Sequence, residues 1–209
     1  MTLTHAIGSG CSKIIRLIVR ALALSRIHPN VLTFLGLVIN VAAAYLLAVG
    51  QFRWGGAVII GAGLFDMVDG RVARETNRVT RFGGFFDSVL DRYSDLALLV
   101  GLLVWYGSIN RPTYVVLTAI AMIASVMISY TRARAENSIP MCKVGFMERP
   151  ERVVLVIMGA LFDRMAPAIW VLAVLGNLTV VHRMIFTWQE TKRLEEAQLK
   201  VPSSRAAKV

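Results

Sequence analysis

The 209-residue chain has two cysteines, three histidines and only 13 acidic residues against 23 basic ones. Cys11 and Cys142 stand far apart without a CxxC or Cys/His spacing, which excludes a disulfide framework and a zinc site. The histidines, at positions 5, 28 and 182, are scattered and form no ligand cluster. Charged residues make up 17% of the chain and hydrophobic ones 56%, and the mean hydropathy is +0.61. That balance excludes a disordered chain and an ordinary soluble domain, because the apolar residues come in long blocks bordered by basic clusters. The chain reads as an integral membrane protein. A net charge of +10 ordinarily raises nucleic acid as a partner. Here most of the positive charge flanks apolar blocks, as the positive-inside rule requires, so membrane lipids are expected and nucleic acid is not.

An apolar leader core ending in small residues is lacking from the first 30 residues, and no cleavable signal is expected. Residues 1–28 instead carry an amphipathic pattern, with Lys13, Arg16 and Arg20 on one face and Ile15, Ile18, Val19 and Leu22 on the other. This predicts an interfacial helix on an anionic leaflet. The expected fold class is all-α, with six transmembrane helices in a domain spanning 29–188 and a charged cytoplasmic tail over 189–209. The predicted helices cover residues 31–49, 54–74, 84–106, 113–130, 153–162 and 166–181. The fifth run is short for a crossing, and its first turn is expected to begin at Pro150. Charge parity argues for it. With both termini inside, only Arg53, Arg111 and Arg164 fall in outer turns, leaving 23 − 3 = 20 basic residues on the cytoplasmic side.

Against this background the carboxylates stand out. Asp66, Asp69, Asp87 and Asp91 lie within or at the ends of apolar helices. Each costs about 2.5 to 3.5 kcal/mol at the centre of a membrane helix, so they must share a wet cavity, cations, or both. Asp66, Asp69 and Ala73 recur at i, i+3, i+7, and Gly83, Asp87 and Asp91 at i, i+4, i+8, so each set shares a helix face. The two helices are expected to be antiparallel neighbours whose inner ends bring the carboxylates together. Clustered hard oxygens without His or Cys select Mg²⁺ or Mn²⁺, and a pair of such ions suits displacement at phosphorus. A cation carrier is the alternative from another class, though carriers usually hold their carboxylates near the midplane.

Read in order, Asp66-x2-Asp69-Gly70-x2-Ala73-Arg74-x8-Gly83-x3-Asp87-x3-Asp91 resembles the complete signature of the CDP-alcohol phosphotransferase family. The resemblance implies a six-helix enzyme of the cell (inner) membrane, multi-pass and often homodimeric, with its active site facing the cytoplasm. It implies that Asp66, Asp69 and Asp87 hold metal ions, with Asp91 near the second ion and acting as general base. It also implies a pocket for the CDP-lipid shaped by Gly70, Ala73, Arg74, Thr80 and Gly83 and approached by Asn30, Val31, Leu32 and Thr33. The residue types agree. Gly70 and Ala73 remove bulk beside a ligand, and Arg74 supplies a fork for phosphate. Asp95 continues the acidic stripe outside the signature and is expected to support it from behind.

The acceptor alcohol is read from a second basic cluster. Residues 129–136 end helix four, Glu148-Arg149-Pro150-Glu151-Arg152 starts helix five, and His182-Arg183 ends helix six. These stretches resemble the bacterial phosphatidylinositol phosphate synthase branch of the family, which joins CDP-diacylglycerol to inositol phosphate. The resemblance implies that the acceptor phosphate docks on Arg132, Arg152 and Arg183, with Arg134 nearby. Members of that branch carry Lys where this chain has Arg132. Arg keeps the charge but alters reach and geometry, so phosphatidylglycerophosphate synthesis, with glycerol 3-phosphate as acceptor, stands as the alternative.

Overall fold

The computed structural model describes residues 29–75 and 80–200, with backbone alone for 29, 67–75 and 198–200. It contains six helices in chain order: α1 (Pro29–Ala48), α2 (Phe52–Glu75), α3 (Arg81–Ser108), α4 (Pro112–Ala135), α5 (Arg149–Leu161) and α6 (Met165–Lys200). The expected interfacial helix of residues 1–28 lies outside the described residues.

Local sequence explains where these helices start and stop. Pro29, Pro112, Pro150 and Pro167 all stand in the first turn of a helix, where the missing N–H is not needed and the fixed φ favours the helix. Thr80 caps α3, its Oγ1 accepting from the Gly83 N–H at 2.9 Å. Three tight connections, at 49–51, 109–111 and 162–164, each use a left-handed residue: Gly50 (φ 79°), Asn110 (φ 53°) and Asp163 (φ 54°). All three lie at one end of the bundle, called here the closed end. The end of α2, the start of α3 and the connection 136–148 lie at the other, open end.

Each helix packs chiefly against two others, closing a ring in the order α1, α2, α5, α6, α4, α3 and back to α1. Small residues set the helix spacing. A Cβ on Gly101 of α3 would lie 2.3 Å from the Ala44 carbonyl oxygen of α1, and one on Gly176 of α6 would lie 2.9 Å from the Ala124 Cβ of α4. Such contacts let backbones approach where lipid leaves little hydrophobic drive between helices. Phe34, Tyr45, Ile123 and Trp170 face outward, an apolar exterior suited to acyl chains.

The ring corrects one expectation. Among the described residues α2 and α3 are not packed side by side; each lies chiefly on α1, whose Ala43, Ala44 and Leu47 are buried between them. A second departure concerns helix six, expected to end near Val181: α6 continues unbroken to Lys200, so Arg183 lies inside a helix rather than at its end. A hydropathy window stops where polarity begins, whereas the helix is carried on by strong helix formers and pairs such as Glu190–Arg193 at 3.6 Å.

Among the described residues α1, α4 and α6 are long and apolar enough to cross a membrane. α2 and α3 have the length, 24 and 28 residues, but carry charge toward the open end. α5 has only 13 residues, about 20 Å at 1.5 Å per residue, against about 30 Å of hydrocarbon.

Candidate active site

The open end converges on one charged cavity. Asp66 sits nine residues before the end of α2 at Glu75, and Asp91 ten residues after the start of α3 at Arg81. At 1.5 Å per residue both lie about 14 to 15 Å in from the helix tips. Gly36 of α1 makes room for the first of them, since a Cβ there would lie 2.8 Å from Asp66 Oδ1.

Arg149, the first residue of α5, reaches between the two helices. Its Nη2 lies 2.9 Å from Asp66 Oδ2 and 2.9 Å from Asp91 Oδ1, and its Nε lies 3.6 Å from Asp95 Oδ1. One turn farther along, the Arg152 Nη2 donates to Asp95 Oδ2 at 2.5 Å, with both side chains buried. Ser125 of α4 adds a hydroxyl 3.5 Å from the same oxygen. A buried charge pair of this kind is tolerable only because each charge has its partner.

Opposite the acids stand the arginines. Arg132 Nη1 and Arg183 Nη2 both donate to Glu148 Oε1, at 3.2 and 3.3 Å. Arg183 is 1% exposed, and its other nitrogens are fixed by the backbone: Nη1 to the Ile128 carbonyl at 2.5 Å and Nε to the Val144 carbonyl at 2.8 Å. The connection before α5 is drawn onto α6 at the same point. Phe146 N donates to Thr179 Oγ1 at 3.2 Å, and Gly145, at φ 126°, passes so close that a Cβ would meet Thr179 Cγ2 at 2.5 Å. Together these residues enclose a cavity of about 160 Å³ lined by Asp91, Asp95, Arg132, Arg149, Arg152 and Arg183 among others.

The structure therefore brings Arg132, Arg152 and Arg183 together with Asp91, a convergence spacing alone does not reveal. Arg134 does not line this cavity, although Arg183 borders both it and the groove that Arg134 lines. The Arg134 side chain is exposed and lines a different groove between α4 and α6, beside Trp188, because it stands two residues from Arg132 and hence on another helix face. Of the predicted CDP-lipid residues, Asn30, Thr80 and Gly83 meet at the open end: a Cβ on Gly83 would lie 3.4 Å from Asn30 Oδ1 and 3.0 Å from Thr80 Oγ1. Leu32 departs from the expectation, being 1% exposed with its side chain in the core. Val31 is exposed and Thr33 half-buried. Gly70, Ala73, Arg74 and Asp69 lie on α2 where only backbone is described.

For the expected metal, the donors are carboxylate oxygens, which suit a hard divalent cation. Asp66 and Asp91 each direct an oxygen at one cationic nitrogen of Arg149, so the pair already converges on a single positive charge. Among the described residues no third ligand closes on that point. Asp87, one turn before Asp91 on α3, is exposed, and the Asp69 side chain lies outside the described set. As far as they are described, the residues fit the ion.

Arg149, Glu148 and Gly36 are the site residues that sequence reasoning passed over. Arg149 left a signal, since an arginine in the first turn of a helix opposes the macrodipole and needs anionic partners. Gly36, inside an apolar run, left none.

Carboxylates facing arginines at one end of an all-helical membrane bundle suit a class, the membrane-embedded enzymes that act on phosphate esters. The chain belongs to the CDP-alcohol phosphatidyltransferase family, whose model matches residues 26–189. It is 38% identical to the archaetidylinositol phosphate synthase of Methanothermobacter thermautotrophicus, over 77% of this chain and 83% of that protein. It is 40% identical to the phosphatidylinositol phosphate synthase of Mycobacterium tuberculosis, over 82% of this chain and 84% of that protein. The crystal structure of the M. tuberculosis enzyme with CDP-DAG bound superposes with a TM-score of 0.79 at 37% identity, covering 84% of this chain and 94% of that one. The same enzyme with manganese and citrate gives 0.77 at 38% identity, covering 83% and 88%. Membership of this family sets the carrier alternative aside.

Proposed function

We propose that the protein transfers a phosphatidyl group from CDP-diacylglycerol to a hydroxyl of inositol phosphate, giving phosphatidylinositol phosphate and CMP. The observation that carries this reading is the single cavity shared by Asp91 and by Arg132, Arg152 and Arg183. A proton acceptor and a triple guanidinium site within one small space suit an acceptor that bears both a hydroxyl and a phosphate. The relatives named above support the acceptor from two directions: the archaeal and the bacterial enzyme differ by name in the lipid and share inositol phosphate.

In this mechanism Arg132, Arg152 and Arg183 bind the acceptor phosphate and aim the hydroxyl toward the donor. Asp91 takes the hydroxyl proton as that oxygen bonds to the phosphorus bearing the lipid. The bond from this phosphorus to the CMP phosphate breaks, and Arg74 stabilises the charge on the departing CMP. Asp95 orients Arg152. Mg²⁺ or Mn²⁺, by this reading two ions held by Asp66, Asp69, Asp87 and Asp91, supplies Lewis-acid stabilisation of the diphosphate when bound. The start of α1, with Asn30, Val31 and Thr33, and the Thr80–Gly83 corner receive the CDP group.

The same reading takes all six helices as crossings, with the open end toward the cytoplasm and residues 1–28 lying on the inner leaflet of the cell membrane. The protein acts as a homodimer. The test is a purified-enzyme assay with Mg²⁺ or Mn²⁺ and CDP-diacylglycerol, offering inositol 1-phosphate, inositol, glycerol 3-phosphate and serine separately. CMP release with inositol 1-phosphate alone is expected. Release only with glycerol 3-phosphate makes the protein a phosphatidylglycerophosphate synthase, and release with none rejects the substrate class.

A further inference from the structure

Two consecutive residues at the start of α5 fill both halves of the cavity with charges of the kind the ligands would bring. Glu148 places one carboxylate oxygen between Arg132 Nη1 and Arg183 Nη2, at 3.2 and 3.3 Å, as an acceptor phosphate oxygen would lie. Arg149 places one guanidinium nitrogen between Asp66 and Asp91, at 2.9 Å from each, as a bound cation would lie. Their side chains are 43% and 31% exposed, against 8% for Arg152 and 2% for Arg183. The first pair is the more exposed to solvent, whereas the second pair is buried in place. Glu148 is the N-cap residue of α5 with extended backbone (φ −77°, ψ −177°), and no side-chain cap bond holds it there.

We propose that Glu148 and Arg149 form an internal counter-ion plug that competes with the divalent cation at the carboxylates and with the acceptor phosphate at the arginines, and thereby couples the loading of the two. The proposal rests on the metal and acceptor assignments made above. Its physical basis is that the same lone pairs and the same N–H donors cannot serve two partners at once. A cation that takes Asp66 and Asp91 frees Arg149, which adds a guanidinium to the cavity and loosens its neighbour Glu148 from Arg132 and Arg183. Both changes favour an incoming phosphate. By linkage, phosphate binding must favour the cation by the same factor. The plug also accounts for how Asp66 and Asp91 on one wall and Arg132 and Arg183 on the other are each paired with opposite charge.

The experiment uses the full-length protein in detergent or nanodiscs and reads binding rather than turnover. Free Mn²⁺ is followed by electron paramagnetic resonance, with and without saturating inositol 1-phosphate. In wild type, inositol 1-phosphate is expected to tighten Mn²⁺ binding about fivefold or more, the lower end of ordinary coupling. Arg149→Gln is expected to tighten Mn²⁺ binding by a similar factor without the acceptor, and Glu148→Gln to tighten inositol 1-phosphate binding without metal. In the double variant the two ligands should bind independently. A thermal melt supplies a second readout: Arg149→Gln should melt lower than wild type in EDTA and recover more on adding Mn²⁺. Mn²⁺ binding that is unchanged or weaker in Arg149→Gln, while Asp91→Asn loses it, overturns the plug and leaves the metal assignment standing. Mn²⁺ binding that survives Asp66→Asn and Asp91→Asn overturns the metal assignment itself, and the plug with it.

Discussion

The two ends of the bundle are built on opposite principles. At the closed end three short turns, left-handed residues and aromatic pairs such as Phe52–Trp105 (centroids 5.5 Å apart) and Tyr106–Tyr114 (4.9 Å) hold the helices by shape alone. At the open end the same helices are held by charge, Arg149 and Arg152 tying α5 to α2 and α3, and Arg183 tying α6 to α4 and the connection before α5. Packing is insensitive to ligands, whereas ion pairs can be exchanged for them. Stability therefore concentrates where nothing binds, and the exchangeable contacts lie where something must.

Five substitutions probe that division, from the largest effect to the smallest. Asp91→Asn removes the proposed base and should lower kcat by about 10³-fold or more while a CDP-diacylglycerol titration still saturates; near-normal turnover would remove Asp91 from the base role. Gly101→Val at the closed side forces a side chain onto the Ala44 carbonyl and should cost about 1 to 3 kcal/mol, read as a lowered Tm, with KM unchanged in the fraction that folds. If KM shifts as well, the two ends are not separable. Arg152→Ala should raise the acceptor KM about tenfold or more with a smaller change in kcat, and Asp95→Asn should follow it, because Asp95 acts by orienting that fork. An unchanged KM in Arg152→Ala would leave that arginine a purely topological charge. Arg134→Ala, whose side chain lies outside the cavity, should change the acceptor KM by less than about twofold. A tenfold rise there would mean that the acceptor extends into the α4–α6 groove.

Much of this was legible before any coordinates. Periodicity and the prolines located all six helices, and the spacing of Asp66, Asp69, Asp87 and Asp91 in an apolar context pointed to the open end, where Asp66 and Asp91 meet at Arg149. What remained hidden depends on which helices touch. Nothing in the order of the chain says that α1 lies between α2 and α3, and Gly36 and Gly101 acquire meaning only once their neighbours across the gap are known. Arg134 and Arg132 look equivalent as letters in a basic run, and the helical rotation between them decides which one meets the cavity. The continuation of α6 escaped for a different reason: hydropathy measures the membrane, and this helix outruns it.

The shortness of α5 has its own consequence. α5 starts beside Asp66 and Asp91, its first residue Arg149 pairing with both, rather than at the tips of α2 and α3, so the polar start of this helix lies about 15 Å in from those tips. A donor with two fatty chains cannot leave the oil, and a sugar phosphate cannot enter it. In the reaction proposed above, the missing turns of one helix put the sugar phosphate's docking charges at the depth of the carboxylates, so that two molecules with no common solvent meet without either crossing into the other's phase.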